Sequence, residues 1–364
     1  MGFLVKIGIL TYHRTLNYGA CLQAVATRIV LQKMGHDVYY VDYWPRYHAN
    51  KYALFSFRLF LSRGIKGACK YLVDLIKNYS AKKKRIRNFN SFFSAYITPF
   101  CLPVSESFDV IVYGSDQIWR KQSSLKAYNP AYFGENTFKT SMHVSYAASM
   151  GVMPRTKEDY LCVKEMLRSL SKISVREDEL LDLVKEMGYS DAVKTLDPTL
   201  LLDQSDWNDV FSLEKDEKSD EKYVLFYDLL YGSFDLNEIK LFAQRHGLKL
   251  KIISGYAMNT NSADVVSTGN PKMLVSLIKN AEFVFTSSFH GLVFSIIYNK
   301  PFYAAFRENE GRAQSLLRNL GSNGKLLKPM QKIENDYEPI DFMTVNGNLN
   351  ELKKGSLQFL KNIG

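Results

Sequence analysis

Cysteine is scarce in this chain: Cys21, Cys69, Cys101 and Cys162 stand far apart and show no metal-ligand spacing. No metal site is expected from them, and a reduced, cytoplasmic setting follows. No run of about eighteen apolar residues occurs, so no membrane-spanning helix is expected. The opening MGFLVKIGIL lacks a long apolar core and a cleavage site, and reads as a first strand. Phosphate-cradling glycine motifs are also missing. No G-x-G-x-x-G follows that strand and no G-x-x-x-x-G-K-[ST] occurs, which disfavours dinucleotide oxidoreductases and P-loop nucleotidases. Internal repeats and low-complexity segments are absent. Histidine is rare, with six in 364 residues, so the position of each is informative.

What remains is an ordinary soluble composition, 46% apolar and 23% charged, in a chain long enough for two domains. The net charge of +10 is concentrated: residues 51–90 hold eleven Lys or Arg against Asp74 alone. This block mixes Phe, Leu, Ile and Tyr with the basic residues at roughly helical spacing. It reads either as a helix lying on an anionic bilayer or as a solvated insertion whose apolar stripe packs on its domain. Nucleic acid is disfavoured, because bases elsewhere are balanced by acids and no binding module is recognisable.

VKIGILTY reads as a buried strand, NYGACLQAVATRIVLQKMG as a helix ending at Gly35, and HDVYYVDY as the next strand. That order implies a parallel sheet with a right-handed crossover. Past the basic block the alternation resumes through FDVIVYGSD, HVSYAAS, a helix over 157–170, KISVRE and a helix over 177–188. The charged stretch around 203–221 marks a domain boundary, giving domains 1–205 and 206–364. A second series follows: KYVLFYDL, a helix over 235–246, KLKIISG, a helix over 271–279, EFVFTS, a helix over 290–299, and PFYAAF. The expectation is an α/β chain with two Rossmann-like domains facing across a cleft and a basic helical insertion in the first. A last helix near 349–362 is expected to cross back.

Four polar clusters fall at strand ends, the ligand-facing edge of such folds. They are His13 and Asn17 in TYHRTLNYGA; Ser115, Asp116, Gln117 and Trp119 in YGSDQIWR; Arg176 in SVRE; and Ser287, Ser288 and His290 in TSSFHG. Arg307 and Arg312 follow the last. Each has a bland reading. Asn17 or Ser115 caps a helix, Asp116 is a turn residue, Trp119 fills a core, Arg176 pairs with Glu177 or Asp178, and His290 is a hydrogen-bonded cap. Their shared placement favours a site.

The segments GILTYHRTLNYGACLQA, FDVIVYGSDQIW, SYAASMG, ISVRE, LDPTLL and FVFTSSFHGLVFSIIYNKPF occur in one order over residues 6 to about 320. In this combination they resemble the polysaccharide pyruvyl transferase family. The resemblance implies a GT-B-like architecture, with a pyruvyl group moved from phosphoenolpyruvate onto two sugar hydroxyls as a cyclic ketal. Surface polysaccharides such as bacterial capsule are the expected products. Where some relatives carry an arginine two positions before the histidine, this chain has Ser288, so the donor relies on other cations.

On that resemblance the second domain holds the donor, and the donor-binding residues are Arg176, Ser287, Ser288, His290, Gly291 and Arg312. The first holds the acceptor, through His13, Asn17, Ser115 and Trp119. Arginine forks suit both anionic groups of phosphoenolpyruvate. His290 is the expected general acid or phosphate ligand, and Asp116 the base for the attacking hydroxyl. No metal or cofactor is expected beyond phosphoenolpyruvate as co-substrate. The expected acceptor is a lipid-linked saccharide, reached by 51–90 docking on the inner face of the plasma membrane. Rival readings are a GT-B glycosyltransferase using a nucleotide sugar, or a non-catalytic saccharide-binding subunit.

Overall fold

The computed structural model describes residues 4–123, 125–135, 138–215, 221–229, 232–307, 310–333 and 337–363. Residues 216–220 of the charged boundary stretch lie outside them.

Strands β1 (Lys6–Leu10), β2 (Asp37–Val41), β3 (Cys101–Leu102), β4 (Ser107–Tyr113), β5 (Lys139–Ala148), β6 (Lys172–Val175) and β7 (Val193–Lys194) form one sheet. A second contains β8 (Tyr223–Asp228), β9 (Lys249–Ser254), β10 (Val265–Val266), β11 (Phe283–Thr286), β12 (Phe302–Ala305) and β13 (Leu326–Leu327). The orders are β3-β2-β1-β4-β5-β6-β7 and β10-β9-β8-β11-β12-β13, with every named pairing parallel. Numbered within each sheet, both halves follow the doubly wound order 3-2-1-4-5-6, with β7 added as a seventh strand in the first. Short runs such as FVFT and FYAA are buried at every residue, as strands covered on both faces require. The order reverses between β1 and β4, and again between β8 and β11. Loops leaving those strands diverge into crevices, where such sheets bind ligands.

Helix α1 (Tyr18–Lys33) lies between the sheets, which is why it is buried on nearly every side. Its Tyr18 meets Tyr227 at 5.9 Å between ring centroids. One continuous apolar core runs from β1 through α1 into the second domain. The basic block forms three helices, α2 (Arg46–Tyr52), α3 (Phe57–Leu61) and α4 (Gly64–Tyr96). At 33 residues α4 is about 50 Å long, and its two halves differ. Ala81, Arg85, Phe89, Phe92 and Phe93 are buried, whereas most of the first half is exposed. Arg85 donates to the carbonyls of Ser254 (3.3 Å), Ser267 (3.1 Å) and Leu16 (3.3 Å), with its guanidinium 4.8 Å from the Tyr18 ring centroid. The basic run 82–87 is therefore not one free surface. Its Arg85 ties the first domain to the second.

Helices α5 (Lys157–Met166) and α6 (Asp178–Glu186) belong to the first domain, and α7 (Gln204–Phe211) leads out of it. Helices α8 (Leu236–Arg245), α9 (Pro271–Asn280), α10 (Phe289–Ile297) and α11 (Glu310–Leu320) serve the second. The last, α12 (Phe342–Lys361), lies against the first domain: Ser356 Oγ accepts the Leu196 N–H at 2.9 Å, and Phe359 packs on Tyr146.

Candidate functional site

The strand exits converge. Arg176 follows β6, Asp197 follows β7, Ser115 and Asp116 follow β4, and His290 stands in the first turn of α10. Asp197 is buried and accepts from Thr199 with one oxygen, the N–H at 3.1 Å and the hydroxyl at 2.6 Å. Its other oxygen accepts from Arg176 Nη1 and lies 3.6 Å from His290 Nε2. One carboxylate thus positions a guanidinium and an imidazole that come from different domains.

Phe289 supplies the floor. The guanidinium groups of Arg176 and Arg312 lie 5.0 and 5.3 Å from its ring centroid. Between them stands Glu177, whose Oε1 is 3.5 Å from Arg176 Nε and 4.0 Å from Arg312 Nε. The Ser149 hydroxyl donates to that same oxygen at 2.6 Å. Among the described residues, Arg176 Nε and Nη2, Arg312 Nε and His290 Nε2 are buried with no hydrogen-bond partner. Leaving a buried donor unmade costs about 1–3 kcal/mol. Arg176 Nε, Arg312 Nε and His290 Nε2 each face a carboxylate oxygen, at 3.5, 4.0 and 3.6 Å, without closing a hydrogen bond to it, so the cluster keeps donor capacity for ligand oxygens.

The electrostatics agree. Burial pushes the Asp197 carboxyl up, but His290, Arg176 and Thr199 outweigh it and hold the group well below its usual range. Burial likewise opposes the charge of Arg176, and Asp197, Glu177 and Asp116 more than restore it. Arg312 is lowered to about 10, by burial first and then by the like charge of Arg176. An anion between the two arginines would offset their mutual repulsion and favour the charged form of Arg312. Arg312 also borders a cleft of ≈ 510 Å³ lined by Glu177, Asp178 and Asp182 of one domain and Ser315 and Arg318 of the other. That volume suits a small-molecule site, whereas the space enclosed by Arg176, Asp197, Phe289 and Arg312 themselves is ≈ 50 Å³.

Several expected residues serve other ends. Ser287 Oγ accepts the Leu229 N–H at 2.8 Å and donates to Asp228 at 3.1 Å, bracing the end of β8. Ser288 caps α10, accepting from the Gly291 N–H at 3.4 Å. Gly291 is a packing residue, since a Cβ there would lie 2.1 Å from Thr286 Oγ1. Ser115 is fully buried behind Arg176, donating to the Ala147 carbonyl at 3.1 Å and accepting from Arg176 Nη1 at 3.4 Å.

The other expected acceptor residues also make contacts within the protein. Trp119 is buried, stacked on Phe133 with its N–H donating to the Tyr132 carbonyl at 2.9 Å, so it offers no sugar platform. Asn17 is exposed and caps α1, accepting from the Ala20 N–H at 3.2 Å. His13 is buried against Tyr40 with Nδ1 3.0 Å from the Thr11 carbonyl, and burial, then Arg14, lowers it to about 4. Ligand atoms of His13, Asp42 and Cys101 lie within 4.8 Å of one another, but Arg14 is paired with Asp42. Asp116 is half-buried at φ 75°, a left-handed conformation that Asp tolerates, and its charge reaches Arg176 and Arg312.

Gly19 explains the tight join between domains. A Cβ there would lie 2.0 Å from His290 Nδ1, so the ring sits directly on the backbone of α1. Gly19→Ala is expected to cost about 1–3 kcal/mol of stability by overpacking. Urea unfolding measures it, and unchanged stability would mean that His290 swings free of α1.

The family model described as polysaccharide pyruvyl transferase matches residues 17–306. No curated protein matches the chain. Among solved structures, it is similar to a UDP-GlcNAc 2-epimerase from Methanocaldococcus jannaschii at 9% identity and TM-score 0.47, covering 96% of this chain and 92% of that one. It is also similar to a UDP-GlcNAc 2-epimerase from Neisseria meningitidis (8%, TM-score 0.44, 100% and 95% covered) and to a Streptomyces glycosyltransferase (13%, TM-score 0.36, 98% and 96% covered).

Proposed function

We propose for this chain, which belongs to the polysaccharide pyruvyl transferase family, the transfer of a pyruvyl group from phosphoenolpyruvate to two hydroxyls of a sugar, releasing phosphate. The observation that supports the donor assignment is the set of buried nitrogens without a hydrogen bond on Arg176, Arg312 and His290 around Phe289. Phosphoenolpyruvate brings a carboxylate and a phosphate, and guanidinium forks bind both kinds of oxygen. Arg176 is held by Asp197 on one edge and presents Nε and Nη2 on the other.

The reaction balances without a cofactor. His290 gives a proton to the methylene carbon, and a sugar oxygen bonds to the central carbon as Asp116 takes the hydroxyl proton. The carbon–oxygen bond to phosphate then breaks. The second hydroxyl closes the ketal, and its proton leaves with phosphate or through His290.

The test is phosphate release from phosphoenolpyruvate across a panel of saccharide acceptors, with mass analysis of the sugar. Acceptor-dependent release, with a product heavier by one pyruvate less one water, is expected. Saccharide binding without release would leave a binding subunit, and consumption of a nucleotide sugar would leave a glycosyltransferase.

A further inference from the structure

The first half of α4 leaves an apolar ridge without cover. Positions 65, 69, 72, 73, 76 and 79 recur at three-to-four spacing and so share one face of the helix. Ile65 is 86% exposed, Val73 64% and Ile76 77%. The short helix α3 adds Phe57 at 65% and Leu61 at 62%. It is folded back on α4, where the Ser56 N–H donates to Tyr71 Oη at 2.9 Å and Phe55 packs on the same ring. The ridge is therefore a built surface on two braced helices.

Charge says what covers it. Arg58, Arg63, Lys66, Lys70 and Lys77 are all exposed along the same two helices. Lys66, Lys70 and Lys77 fall together on the flank of the ridge at helical spacing. Asp74 is the one acid over 57–79, and it is engaged by Lys82 and Asn78. No helix among the described residues is long and apolar enough to cross a membrane. A lone apolar ridge beside a basic flank, on a helix too polar to insert, is the pattern of a segment lying in the headgroup region.

We infer that α3 and residues 64–79 of α4 form a docking face for an anionic lipid bilayer. The second half of the same helix, through Arg85, is fixed to both domains, so docking would set the orientation of the cleft to the membrane. That a lipid-linked saccharide is the acceptor then follows only if the transfer reading above holds. The docking itself does not depend on it.

The experiment is vesicle co-sedimentation of the full chain, with no substrate present. Vesicles of phosphatidylcholine with and without phosphatidylglycerol are compared at low and high salt. Binding to phosphatidylglycerol vesicles is expected to exceed that to phosphatidylcholine at least tenfold and to weaken with salt. Ile65→Glu with Ile76→Glu should reduce it tenfold or more. Lys66→Glu, Lys70→Glu and Lys77→Glu together should abolish the lipid preference. Unchanged circular dichroism and Tm would show that both variants fold. Equal binding to the two vesicles, or full binding by the Ile65→Glu, Ile76→Glu variant, overturns the inference. So does a wild-type dimer that this variant dissolves while vesicles go unbound, because the ridge would then face a second copy of the chain.

Discussion

Asp197→Asn is expected to lose about 3–5 kcal/mol of stability at neutral pH and to cut phosphate release by about 100-fold or more. The substitution keeps the shape of the side chain and the oxygen that accepts from Thr199. It removes the charge that Arg176 and His290 share, leaving the buried guanidinium with Glu177 at 3.5 Å and the Ser115 hydroxyl at 3.4 Å. The pH dependence has a definite sign. The folded carboxyl is held below its ordinary value of 3.8, so its contribution is fully present above that value. It is lost as pH falls below 3.8 toward and through the folded value. The variant lacks this group, so the stability gap between the two proteins narrows in acid. Urea unfolding at pH 7 and below pH 4 measures it. A gap that is absent at pH 7, or that widens in acid, would remove Asp197 from the centre of the site.

LDPTLL is among the segments that carry the family resemblance, but the role of its Asp197 was not legible in the residues around it. An aspartate before proline at a strand exit looks like a turn, and here it does open a short turn through Thr199. Its second oxygen meets Arg176 only because β7 pairs beside β6, and meets His290 only because the second domain closes on the first. Arg85 was hidden for a related reason. It stands in a basic run, and only its tertiary position separates it from its solvated neighbours. The alternation of strands and helices was readable, because parallel strands covered on both faces are continuous apolar runs. The strand-end clusters were readable as well, since polar residues interrupt those runs where the loops begin. Whether a side chain at such an end points into the cleft or back into the core depends on packing from distant elements. Trp119 and His13 went inward, whereas Arg176 and His290 reached the join between domains.

Arg312 and His290 are expected to fail in opposite ways, and the contrast tests their separate roles. Arg312→Met should raise the KM for phosphoenolpyruvate by about 10- to 100-fold with kcat nearly kept, since a charge-assisted contact to a buried anion contributes about 1.5–3 kcal/mol. His290→Gln should lower kcat by about 100- to 10,000-fold with a smaller change in KM, the range for a lost proton-transfer group. Stability separates binding from bracing. In the free protein Arg312 is opposed by its burial and by Arg176, and its Nε has no hydrogen-bond partner among the described residues. Methionine keeps an apolar stem against Phe289 and removes that repulsion. The Arg312→Met protein should therefore melt no lower than the wild type while gaining less from added phosphoenolpyruvate. A lower Tm with an unchanged KM would make Arg312 a structural tie between α11 and Glu177. The donor would then have to be held by Arg176 and the first turn of α10 alone.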